Sequence, residues 1–308
     1  MRYIGVFLLY VLAGKLGLML AVVHESATAV WAPSGIALAA LLLIGLRMWP
    51  AVFAGAFVVN VTTAGGVTSS LFLAAGNTLE GVVAAALVMR FAGGRDCFQH
   101  PQDIFKFAGA AVLASTIAAT FGATTLTGMR YALYSEYPPI WLTWWLGDAT
   151  GILILTPALV LWYLERGAMW RRTWVEAALA SVAVAAASFL IFGTGSPESR
   201  YPLTFLAVPP LMWVAFRFGT RAAATAVLGM CAVAIWGTQQ GLGPFATFEP
   251  RASLLFLQGF MATMAMLIVP MAAMEARIMA LGAAVQRLTT EQATIVEKTT
   301  PRRGRRDR

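Results

Sequence analysis

Three ionisable residues stand inside stretches otherwise apolar enough to cross a bilayer: Lys15, Glu80 and Asp148. Charges are costly in hydrocarbon, so such residues face a bundle interior and pair or bind something there. Each acid has company at helical spacing. Asn77 precedes Glu80 by three residues, and Trp141, Trp144 and Trp145 precede Asp148 by seven, four and three, offsets that share a helix face. A carboxylate beside aromatic rings could hold a cation or a protonatable ligand; it could also be a buried carboxyl that answers to proton gradients. The plainer alternative is that Lys15 pairs with one acid as a structural lock, while the tryptophans make packing and interface contacts.

These side chains need helices to place them. The chain has 308 residues, 59% hydrophobic and 12% charged, where a soluble domain carries about 25% charge. Few charges and repeated apolar runs predict an all-α, polytopic transmembrane helix bundle. The apolar runs fall at about 3–23, 31–46, 50–62, 69–90, 104–128, 139–163, 174–192, 201–216, 221–237 and 252–276. A full crossing takes about 20 residues, so the short second, third, eighth and ninth runs are expected as tilted or re-entrant helices, giving eight to ten spans. At about 1.5 Å per residue, Glu80 lies about 16 Å and Asp148 about 12 Å below one face. Lys15 lies about 18 Å from the other, and in a core about 30 Å thick the three depths overlap. The candidate ligand site is therefore Lys15, Asn77, Glu80, Trp141, Trp144, Trp145 and Asp148.

Charge placement orients the bundle. With the N-terminus inside, 18 of the 22 Lys and Arg fall on the cytoplasmic side and 3 outside, a positive-inside pattern that puts both termini in the cytoplasm. Arg2 and the following apolar run resemble a secretory leader, but the run continues to Val23 with only Lys15 interrupting it, longer than the usual 7–15 residue core of such leaders. A retained first helix is expected. Trp31-Ala32-Pro33-Ser34-Gly35 and Trp49-Pro50 each set an interfacial Trp beside a Pro that suits a first helical turn. Arg47 and the Arg217-Phe218-Gly219-Thr220-Arg221 turn each join two short runs, which hints at a repeated hairpin.

Several chemistries find little support. Two cysteines, Cys97 and Cys231, and two histidines, His24 and His100, show no metal-ligand spacing, so no metal and no cofactor is expected. The methionines from Met261 to Met279 are at spacings that suit gap-filling in a helix interface. His24 with Glu25 is the one cluster resembling a catalytic pair, and a solvated loop explains it better. Beyond Pro270 the pattern changes. Ile278, Leu281, Val285, Leu288 and Ile295 fit a heptad repeat with Gln292 filling the remaining place, a short coiled coil that could carry a homodimer. Residues 301–308 are basic and expected to be disordered, attracted to anionic membrane lipids at about 1 kcal/mol per charge; nucleic acid is not an expected partner. The domain boundaries expected are 1–276 for the membrane unit, 277–300 for a cytoplasmic signalling helix and 301–308 for the tail.

At Trp31-Ala32-Pro33-Ser34-Gly35-Ile36-Ala37 and Gly45-Leu46-Arg47-Met48-Trp49-Pro50 the chain resembles the first membrane-associated sensor domain family, of the MASE group. The likeness continues through Gly76-Asn77-Thr78-Leu79-Glu80, Trp144-Trp145-Leu146-Gly147-Asp148-Ala149-Thr150-Gly151, Pro157, Arg217-Phe218-Gly219 and Gly241-Leu242-Gly243-Pro244-Phe245. It covers about residues 1–276. The resemblance implies a sensory module of the bacterial inner membrane, of the kind that precedes histidine kinases, diguanylate cyclases or phosphodiesterases. The sequence shows neither a phosphoacceptor His in a cytoplasmic helix nor a nucleotide-binding motif, so a non-enzymatic sensor for a small ligand or membrane state is expected, stand-alone or truncated. It would act on a histidine kinase or a cyclic-dinucleotide signalling protein. The second reading is a small-solute transporter or substrate-capture subunit using the same charges. An intramembrane enzyme is third.

Overall fold

The computed structural model describes residues 1–19, 29–63, 66–165, 174–194, 201–246 and 249–299. The described residues form helices α1 Arg2–Met19, α2 Ala32–Leu43, α3 Trp49–Val61, α4 Val67–Phe91, α5 Pro101–Gly128, α6 Tyr137–Leu164, α7 Trp174–Phe192, α8 Val208–Gln239 and α9 Pro250–Thr299, with short 3-10 turns between some of them. No strand occurs among them. The expected polytopic all-α bundle is what forms. His24 and the basic tail at 301–308 lie outside the described residues.

Among the described residues, seven helical segments are long and apolar enough to cross a membrane, and α2 and α3 are shorter. With 12 residues, α2 is about 18 Å long and falls well short of a core about 30 Å thick. Gly45, at φ 114° and ψ 161°, turns the chain between α2 and α3. The helix α8 is broken in the same way at Gly219, at φ 81° and ψ −174°. Its arms, 208–218 and 220–239, fold back on each other: Val214 of the first and Thr225 and Met230 of the second face one crevice against α7. These glycines occupy a backbone region that is strained for other residues, so the two predicted hairpins rest on them.

One continuous core draws residues from each of the described helices, from Val6 on α1 to Ala273 on α9. The outside is apolar as well: Leu8, Leu12 and Leu16 on α1 and Leu179, Val182 and Phe189 on α7 are all exposed. A helix hydrophobic all round belongs in lipid. The turn from Gly241 to Phe245 is a packed cap. Phe245 stacks on Phe192, with ring centroids 6.0 Å apart, and Phe260 closes the cluster.

The last helix changes character along its length. Met261, Ile268 and Ala272 are buried against the bundle, where α9 packs on α5, α6 and α8. From residue 276 through 295 every side chain is exposed, and the helix runs on about 35 Å beyond its last buried turn.

Candidate functional site

The site is built where α2 begins. Two glycines let α2 and α6 touch backbone to backbone: a Cβ at Gly35 would lie 2.5 Å from the Gly151 carbonyl oxygen, and one at Gly151 would lie 2.2 Å from that of Trp31. The Trp31 amide donates to Gly147 O at 2.9 Å and Thr156 Oγ1 donates to Gly35 O at 3.1 Å. The two motifs Trp31–Gly35 and Gly147–Gly151 are therefore halves of one joint. Pro33 sits in the first turn of α2, where a missing N–H costs nothing. The start of α2 lies eleven residues into α6, about 16 Å along it. Trp31 is thus drawn into the bundle, against the expectation of an interfacial position; the Trp-Pro pair marks where a helix starts and carries no information on depth. Trp49 is half exposed.

This joint aims Ser34 at both acids. Its hydroxyl lies 2.9 Å from Glu80 Oε2 and 2.8 Å from Asp148 Oδ1, and Ser115 on α5 donates to Glu80 Oε1 at 2.7 Å. All four residues are buried, Asp148 and Ser115 completely. Four helices thus converge on two carboxyls and two hydroxyls. The positive end of the α2 dipole points at them, which favours negative charge there. The Tyr10 phenol on α1 lies within electrostatic reach of both carboxyls and beside the Trp31 indole. Tyr10 Oη, Trp31 Nε1, Asn77 Oδ1 and Asp148 Oδ2 are buried without a hydrogen-bond partner of proper geometry, and such atoms cost about 1–3 kcal/mol each.

Not all predicted residues join. Glu80, Asp148 and Trp144 do: the Trp144 indole approaches Asp148 and packs over Gly122. Asn77 is buried one turn from Glu80 on α4. Lys15 does not pair with either acid. Its ammonium donates to Val59 O at 3.3 Å and Thr63 Oγ1 at 2.8 Å, at the C-terminal end of α3, whose last carbonyls have no partner within the helix and attract a cation. The lysine lock is a helix cap, not an ion pair across the bundle. Trp141 and Trp145 also turn away. They stack on each other at 5.7 Å and donate to Thr120 Oγ1 and Val112 O on α5, at 3.0 and 2.8 Å.

Sequence reasoning missed Ser34, Ser115, Tyr10 and Trp31. Ser34 offered a signal, a hydroxyl in the first turn of an apolar helix. Tyr10 is a single polar group in an apolar run and Ser115 stands beside Thr116, with nothing local to mark either as facing the acids. At the opposite end of the bundle, Arg217 forks onto Glu176, with Nη2 2.9 Å from Oε2. Arg221 is buried, donates to Glu165 O and lies over the Trp162 ring at 5.2 Å. No cluster of His, Cys, Asp and Glu among the described residues is arranged to hold a metal ion.

The fold is a polytopic helix bundle with a buried acid pair where the short α2 meets α4, α5 and α6, and with α9 running on beyond the bundle. The sequence model of the MASE1 family matches residues 3–279, and the chain belongs to that family of membrane-associated sensor domains. No curated protein and no solved structure matches it.

Proposed function

We propose that this chain is the input unit of a signalling system in the bacterial inner membrane, with both termini in the cytoplasm. The cluster around Ser34, Glu80 and Asp148 receives a small ligand or a membrane state, and α9 carries the response out. The observation that supports this most is the continuity of α9. One helix packs against α5 and α6, which hold Ser115 and Asp148, and then leaves the bundle fully exposed with Leu281, Val285 and Leu288 in heptad register. A two-stranded coil with a second copy would cover that stripe. The unit itself does no chemistry; its partner would be a histidine kinase or a cyclic-dinucleotide signalling protein.

Transport is the second reading, because α2 starts inside the bundle as half-helices do in transporters. Two assays separate them. With α9 fused to a reporter kinase, output should change with the stimulus, and Glu80→Gln should fix it in one state. Liposomes carrying the protein should move no solute; uptake that depends on Glu80 or Asp148 would reverse the assignment.

A further inference from the structure

The acid cluster contains more oxygen than its hydrogens can serve. Ser34 Oγ has one hydrogen and two carboxyl oxygens at hydrogen-bond distance, Glu80 Oε2 at 2.9 Å and Asp148 Oδ1 at 2.8 Å. If both carboxyls were ionised, one of these contacts would set two acceptors against each other with no hydrogen between them. Two bare anions this close would also carry the full cost of burial without a cation. Among the described residues, side chains facing the pair come from several elements. They are Tyr10 from α1, Trp31 and Ser34 from α2, Ser115 from α5 and Trp144 from α6. From α3, Gly55 and Val59 face α1. None of these is a cation, and Lys15 is engaged at the end of α3.

One added proton resolves the geometry, and the donors say where it goes. On Asp148 Oδ1, it is donated as a hydrogen bond to Ser34 Oγ, whose own hydrogen then points at Glu80 Oε2 as a second hydrogen bond. Glu80 Oε1 already accepts from Ser115. The single negative charge sits on Glu80, with a hydroxyl on each oxygen. Placed on Glu80 instead, the proton would leave the charge on Asp148, whose Oδ2 has no hydrogen bond of proper geometry and only the approaching Trp144 indole in place of Glu80's second hydroxyl. We propose that the ligand of this cluster is the proton itself, held on Asp148 Oδ1 and relayed through Ser34 to an ionised Glu80. The inference rests on the reading of the pair as the sensor's input and names what that input is.

Removing the proton to water leaves two facing carboxylates and one hydroxyl that serves only one of them. Two donors stand near, the Tyr10 hydroxyl within electrostatic reach of the pair and the Trp31 indole N–H beside Tyr10, neither in a hydrogen bond of proper geometry. Tyr10 is 1% exposed, so its buried hydroxyl has little other role. Unloading therefore breaks the Ser34 relay and draws α1 toward α6, at the joint that fixes the start of α2.

The test is infrared spectroscopy of the full chain in nanodiscs. At neutral pH the wild type should show one protonated carboxylic-acid band per chain. The band should move when the chain is made with aspartate labelled with carbon-13 at the side-chain carboxyl, and stay put with labelled glutamate. It should vanish as the pH is raised, with a parallel change in tryptophan fluorescence, and it should shift in Ser34→Ala. No such band, a band that follows the glutamate label, or a band removed by sodium at constant pH would overturn the proposal, the last by pointing to a monovalent cation. Labelling needs no substitution, so the test survives a variant that fails to fold. A labelled band in a protein whose α9 reporter ignores every stimulus would keep the proton and remove the sensory role. A responsive reporter without the band would do the reverse.

Discussion

The hairpin of α2 and α3 and the hairpin within α8 turn on the same backbone device, a glycine at positive φ with ψ near 180°, but their contents differ. The first begins inside the bundle, and its opening turn meets two buried carboxyls through Ser34. The second lies against α7 around an apolar crevice of about 470 Å³ lined by Ala180, Val184, Val214 and Met230. Its charges are kept at one end, where Arg217 meets Glu176 and Arg221 meets Glu165. The comparison shows that a broken helix is only a scaffold. Where its first turn ends up, and which side chain that turn carries, decides whether it forms a polar site or a packing element.

The largest effect should come from closing the α2–α6 joint. Gly151→Ala would set a Cβ 2.2 Å from the Trp31 carbonyl oxygen; because backbone cannot swing aside, a loss of about 3 kcal/mol or more is expected, read as a lowered melting temperature in detergent. In the second hairpin, Gly229 has nothing within 4 Å, and Gly229→Ala should be neutral or gain up to about 1 kcal/mol. Equal losses at both sites would erase the distinction between the hairpins.

Ser34→Ala comes next, removing the link between two buried carboxyls at an expected cost of about 1–3 kcal/mol. The α9 reporter should stop responding in this variant even at temperatures where it remains folded. Lys15→Met should cost about 1 kcal/mol, the value of one cation at a helix C-terminus together with its hydrogen bond, and should leave the response intact. A silent reporter in a stably folded Lys15→Met protein would return the lysine to the acid site. On stability the smallest effect is Leu281→Glu with Leu288→Glu. Both positions are about 60% exposed, so the melting temperature should hold while cross-linking between copies through the tail disappears.

Much of this architecture is legible in the sequence, because lipid makes a helix declare itself as an apolar run and a glycine between two short runs marks a hairpin. The two acids are legible for the same reason, since a charge in such a run stands out. What closes around them is not. Lys15 found its partners in the Val59 carbonyl and the Thr63 hydroxyl at the end of α3, and a backbone carbonyl leaves no trace in a residue pattern. Trp141 lies on the Asp148 face by angle alone, yet two turns of separation let its indole reach α5 instead. Ser34 is bonded to the acids because Gly35 and Gly151 allow two backbones to meet, and that contact joins residues 116 positions apart.

The central claim is that the state of the carboxyl pair is felt in the exposed part of α9. Pulsed electron-spin distances between labels at His100, beside the bundle, and Ala284, on the exposed tail, address it directly in nanodiscs. The account predicts that the distance distribution changes between neutral and alkaline pH in the wild type and stays fixed in Asp148→Asn. Identical distributions at both pH values, in a protein whose protonated-carboxyl band does respond, would contradict it.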